Sequence, residues 1–167
     1  MKKELASQYR AVLKMLFDVI ERCPDELWGN TSYENSFRRI AYHTLHFTAL
    51  YLAESEGYFR PWHLHVPSYH SLGFQLPLPE HEFPGYTKQD LAAYNLKISE
   101  AVQQRIDKLD LSGPSGFEWL PMNKLELVLY SLRHIQHHTG QLVERLRQNG
   151  IKSIAWIDKG EPDNNFF

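Results

Sequence analysis

The sequence predicts an all-α protein, a four-helix bundle, on three observations. Four long runs carry apolar residues at three- and four-residue spacing, terminator residues separate those runs, and no stretch alternates with period two for long enough to demand a sheet. In the first run Leu5, Tyr9, Val12, Leu16, Val19 and Ile20 recur on one face, predicting a helix over about residues 3–22 that Pro24 closes. Thr31 and Glu34 have the spacing of a capping box ahead of the second helix, which runs from Phe37 to Leu52 and is apolar almost all round, as in a helix buried on most sides. Thr87 with Asp90 repeats the capping pattern and opens the third helix, whose stripe runs from Leu91 through Ile98 to Leu109. Pro121 and Asn123 start the fourth, which carries Leu125, Val128, Leu132, Ile135, Leu142 and Leu146 and stops at Asn149-Gly150.

The connections are unequal. Residues 57–86, between the second and third helices, form a long proline- and aromatic-rich segment with His63, His65, His70 and His81. Loops of this length in a compact domain are usually functional or disordered, and the aromatics point to an ordered cover. In the tail, residues 151–167, Trp156 is expected to fold back on the bundle and the stretch from Glu161 onward to fray.

With 167 residues, 43% apolar and 13% aromatic, the chain fits one domain over 1–167 with a single substantial core. A net charge of −2 leaves no basic surplus for phosphate backbones or anionic lipid, and no stretch approaches the roughly 18 apolar residues needed to span a bilayer. The expectation is a cytoplasmic protein with neither nucleic acid nor membrane as a partner. Cys23 is the one cysteine and reads as a buried apolar thiol.

The histidines carry the chemistry. In the segment LRHIQHHTGQLVERLR, residues 132–147, His134 and His138 lie four apart and so one turn apart on one helix face, the spacing at which two imidazoles grip one ion. Gln141 and Arg145 continue that face, while His137, about 100° away from His138, reads as surface. The second helix contributes AYHTLHF, with His43 and His46 three apart in the most apolar helix of the chain. A neutral imidazole there needs partners for both ring nitrogens, and either histidine could complete a three-nitrogen site with the HxxxH pair. Three nitrogens with an open fourth position suit zinc, with nickel or iron also accepted. The loop histidines read as exposed, with reach into the site as the alternative. Trp62, Tyr69 and Phe74 read as packing of the loop, with a pocket wall as the alternative, and Arg39, sharing the face of His46 with Tyr42, reads as an ion pair or an anion contact. Gly140, costing roughly 1 kcal/mol against alanine inside a helix, suggests close approach of a neighbour. No phosphate-cradling glycine loop and no nucleophile elbow occurs.

On AYHTLHF and on HIQHHTGQL, close to an HxxxHxGQL form, the sequence resembles the DinB superfamily, also called the DinB/YfiT-like metalloenzymes, over the whole domain in helix order and spacing. The resemblance implies a bundle with a long crossover connection between its second and third helices. It also implies a homodimer and a divalent metal ion held by His46, His134 and His138, with His43 and His137 set aside. Zinc is the first expectation. The activity it implies is a metal-dependent transferase, thiol-dependent in characterised relatives, or a hydrolase acting on a small-molecule substrate, with a low-molecular-weight thiol as a cosubstrate that fits. The competing reading is a non-catalytic metal-binding bundle with a stress-related role. Neither reading singles out a general base.

Overall fold

The computed structural model describes residues 1–73, 83, 85–152 and 154–161. Phe74, His81 and the tail beyond Glu161 lie outside the described residues. Five α-helices occur among those described: α1 (Lys2–Glu21), α2 (Asp25–Trp28), α3 (Phe37–Tyr51), α4 (Lys88–Lys108) and α5 (Lys124–Gln148), with a 3₁₀ turn at Glu56–Tyr58. No strand is present among them, and the one isolated bridge, Pro114 with Asn123, closes the turn that leads into α5. The fold is all-α, as the periodicity predicts.

The four long helices form the bundle. α1 packs against α4 and α5, and α3 packs against α5 and α4, so α1 and α3 lie on one diagonal. Each wall follows from an apolar stripe: Leu5, Tyr9, Leu13, Leu16 and Ile20 of α1 meet Leu91, Ile98, Val102 and Ile106 of α4 and Val128, Ile135, Leu142 and Leu146 of α5 in one core. Each such side chain contributes roughly 1.5–3 kcal/mol by leaving water. Two buried polar links fix the relative height of the helices: Asn95 Nδ2 donates to the Leu13 carbonyl at 3.0 Å, and Tyr9 Oη to that of Val128 at 3.2 Å.

Helix starts follow local chemistry. Thr87 and Asp90 form the reciprocal capping box of α4, and Asn123 Oδ1 accepts from Glu126 N at 2.8 Å to open α5. The start of α3 differs from the expectation: Ser36, not Thr31, is the N-cap, and its hydroxyl accepts from Arg39 N at 3.3 Å. Thr31 and Glu34 lie in turn and bend conformation ahead of it. Cys23 is buried and its thiol pushed up to about 12 by burial, which makes it an apolar filler as expected.

The long connection is an ordered cover over its described residues. Trp62 stacks on Tyr94 of α4 with ring centroids 4.5 Å apart and planes 3° from parallel. Tyr86 Oη receives Val66 N–H at 3.0 Å and donates to the Leu64 carbonyl at 2.8 Å, and Trp28 Nε1 donates to the Tyr86 carbonyl at 2.8 Å. Arg39 is buried rather than on the surface, its Nε donates to the Ser71 carbonyl at 3.2 Å, and its guanidinium lies 4.8 Å over the ring of Tyr69.

Two further expectations change. The tail docks through backbone rather than through its tryptophan: Gly160 N donates to the Ser7 carbonyl at 3.1 Å and Arg10 Nε to the Gly160 carbonyl at 3.2 Å, while Trp156 stays 72% exposed. A β-carbon on Gly160 would meet Arg10 Cβ at 2.4 Å, so the contact needs glycine. Gly140 is the reverse case, exposed and with nothing within 4 Å of where its Cβ would lie. Gly140→Ala should therefore raise stability by about 1 kcal/mol. Denaturant melts of both proteins check this, and a loss of stability would mean that the glycine serves a contact outside the chain.

Candidate metal centre

α3 presents two stripes to two different neighbours, and its two histidines fall on different ones. His43, Phe47 and Tyr51 face α5: Phe47 and Tyr51 both lie against His134, with centroids 5.7 and 6.3 Å away. Arg39, Tyr42 and His46 face the long loop, where Arg39 holds Ser71, Tyr42 holds His65, and His46 stacks on His70. α3 and α5 run antiparallel, since Arg145 Nη1 donates to the Asn35 carbonyl at one end while Tyr51 packs on Tyr130 toward the other. The HxxxH face of α5 thus meets the middle of α3.

Two histidine triads result, each with one nitrogen per ring within 4.8 Å of the others. One is His43, His134 and His138; the other is His46, His65 and His70. The structure therefore brings the His134–His138 pair together as the spacing predicts, and brings His43 to it. His46, which the resemblance implies as the third ligand, stands in the other triad. The sequence left His43 and His46 open as alternatives because they are only about 60° apart around the helix, and the loop's contacts decide which way each points.

Within the first triad, His43 Nδ1 donates to the His70 carbonyl at 2.6 Å, and His138 Nδ1 donates to Gln141 Oε1 at 2.7 Å. An oxygen that can only accept fixes the proton on Nδ1, so each Nε2 keeps its lone pair for the site. The Nε2 atoms of His43 and His134 lie 3.0 Å apart, and His134 Nδ1 is buried without a hydrogen-bond partner. Burial holds all three rings neutral, with the neighbouring imidazoles adding to the effect: His43 falls to about 3, His134 to about 4, and His138 is lowered, its bond to Gln141 opposing. Neutral, tautomer-fixed imidazoles in a convergent set are what a divalent ion requires, so the residues fit one. Replacing Gln141 by alanine should weaken zinc binding roughly tenfold, since His138 loses the acceptor that orients it. Competition with a chromogenic chelator measures this; unchanged affinity would show that solvent replaces the amide.

The second triad and, from the first, His43 and His134 line one cavity of about 870 Å³, within the range of small-molecule sites. Its walls are aromatic and apolar, with Phe47, Leu50, Tyr51, Phe59, Trp119 and Tyr130 among them, and Glu56 supplies a carboxylate. Trp119 was not legible as a site residue, because the 109–123 turn reaches the cavity only through tertiary packing, whereas Tyr130, one turn before His134 on the same face of α5, was missed although its spacing could have found it. Of the residues considered from sequence, Trp62 and Tyr69 are buried in packing and do not line the cavity, and His63 and His137 are exposed. His65 and His70 do line it, contrary to their reading as exposed loop positions.

The model of the DinB family matches residues 1–161, nearly the whole chain. The chain belongs to the DinB family. No curated protein and no solved structure matches it. For a DinB-family bundle the histidine triad is a candidate divalent-metal site, and no helix among the described residues is long and apolar enough to cross a membrane.

Proposed function

We propose that this DinB-family protein is a metal-dependent enzyme that joins a small nucleophile, a low-molecular-weight thiol or water, to an electrophilic small molecule. The observation that carries the reading is the convergence of three neutral imidazoles, two with tautomer fixed by an oxygen acceptor, beside an aromatic-walled cavity of about 870 Å³ that His43 and His134 line. A divalent ion held by His43, His134 and His138, zinc first and nickel or iron as alternatives, would lower the pKa of a thiol or water toward neutrality and so supply the nucleophile.

The chain's own residues do the rest. The His70 carbonyl and Gln141 Oε1 hold the protons of His43 and His138 on Nδ1, away from the site. Phe47, Leu50 and Trp119 give an apolar electrophile a surface to bury and exclude water from around it. The test offers reduced low-molecular-weight thiols with monochlorobimane to the zinc-loaded protein. Turnover that chelation abolishes and zinc restores supports the enzyme. Full metal occupancy with no thiol adduct and no hydrolysis of activated esters favours the alternative, a metal-binding bundle without catalysis.

A further inference from the structure

The second triad has features that packing does not account for. His46 is 5% exposed, and its Nδ1 is buried with no hydrogen-bond partner among the described residues; His70 Nδ1 is in the same condition. A buried, unsatisfied ring nitrogen costs on the order of 1–3 kcal/mol, and here two lie in neighbouring rings. His65 differs: its Nδ1 bonds Tyr42 Oη at 2.6 Å. Tyr42 is fully buried and burial raises its pKa, so the phenol keeps its proton, and its hydroxyl serves His65 Nδ1 as either donor or acceptor.

We propose that His46, His65 and His70 form a second divalent-metal site, in the same cavity as the first and distinct from it in every ligand side chain. The donors are three imidazoles, one nitrogen each within 4.8 Å of the others, drawn from α3 and from the loop that covers it. Imidazole donors select zinc, nickel, cobalt or copper over magnesium or calcium. Burial lowers the pKa of all three rings and so favours the neutral imidazole that an ion binds. The rings of His46 and His70 now stack 4.2 Å apart and 12° from parallel. An ion shared between them requires one ring to turn out of that stack, and His70, on the loop rather than on a helix, is the one placed to do so. Occupation of the site then ties residues 65–70 of the cover to α3.

The test is metal stoichiometry. Protein stripped by chelation is reloaded with zinc and, separately, cobalt, freed of excess ion by gel filtration, and assayed for metal per chain by mass spectrometry. Circular dichroism confirms that each variant is folded. About two equivalents are expected in wild type, about one in His65→Ala, His70→Ala and His134→Ala, and none in the double variant His65→Ala with His134→Ala. His70→Ala leaves the backbone carbonyl that serves His43 in place, and His65, partly exposed on the loop, gives an independent variant that spares the core. About one equivalent in wild type that His134→Ala abolishes while His65→Ala and His70→Ala retain it overturns the second site and leaves the first. One equivalent that survives His134→Ala and is lost in His65→Ala upholds the second site and defeats the first, whereas a wild type that takes up no ion overturns both.

Discussion

In a His65→Ala background, where one set of donors is already broken, His43→Ala and His134→Ala are each expected to abolish the remaining metal uptake, and His46→Ala to leave it. Removing one of three nitrogen ligands leaves two imidazoles and solvent, too few donors to hold a structural or catalytic ion against a chelator. The fold should survive, because both rings line an open cavity and truncation there leaves little of the enclosed void that makes core deletions costly. His134→Ala also removes a ring nitrogen that is buried without a partner, which offsets part of the lost packing. Thermal melts supply a second readout. A saturating ion at 100 times its dissociation constant stabilises the folded state by about 2.7 kcal/mol, and the His43 and His134 variants should show no such metal-induced rise. Loss of uptake in His46→Ala with retention in His43→Ala would reverse the assignment, making His46 the ligand that the family resemblance implies.

Lys124→Met should lower stability by about 3 kcal/mol, or roughly 6–12 °C in melting temperature for a domain of this size. Lys124 is 3% exposed, on the first turn of α5, and its ammonium donates to three backbone carbonyls: Ala53 at 3.2 Å, Glu54 at 2.9 Å, and Ser115. Its Nζ also lies 5.2 Å over the ring of Phe117. Burial lowers its pKa, with the Glu54 carboxylate pulling the other way. Two of the carbonyls lie just past the C-terminal end of α3, where the helix dipole favours a cation. Methionine keeps most of the stem's volume but leaves those oxygens without their donor. The substitution loosens the join between α3, the 109–123 turn and α5, and with it the wall that Trp119 supplies to the cavity. Chemical denaturation measures the effect; a loss below about 1 kcal/mol would mean that water replaces the ammonium.

What the sequence revealed and what it concealed divide along a physical line. Contacts internal to one helix were legible: the Thr87–Asp90 capping box, the Asn123 cap, the apolar stripes, and the common face of His134 and His138 depend only on helical geometry. Features set by a distant segment were not. His43 and His46 share a helix, and their separation into two triads is decided by the loop 20 or so residues onward, through Tyr42 with His65 and His46 with His70. Ser36 displaced Thr31 as the cap because the chain between them turns before the helix can begin. Gly140 looked like a site of close approach because a helical glycine is locally unfavourable, yet none of the described residues comes within 4 Å of where its Cβ would lie. Trp156 looked like an anchor by its size, whereas the tail is held by the backbone of Gly160.

His70 occupies both sides of the cavity's chemistry, its carbonyl on His43 Nδ1 and its ring against His46. Lifting the loop would break the bond that keeps the His43 proton off Nε2, and the ring could then present N–H where a ligand lone pair is needed. Loop closure and ion affinity are therefore thermodynamically linked, and the linkage is reciprocal. With an ion held at the proposed site, a ligand that holds residues 59–73 down would tighten the ion's grip, and by the same factor the ion would tighten the grip on that ligand. A molecule that props the loop open works against both.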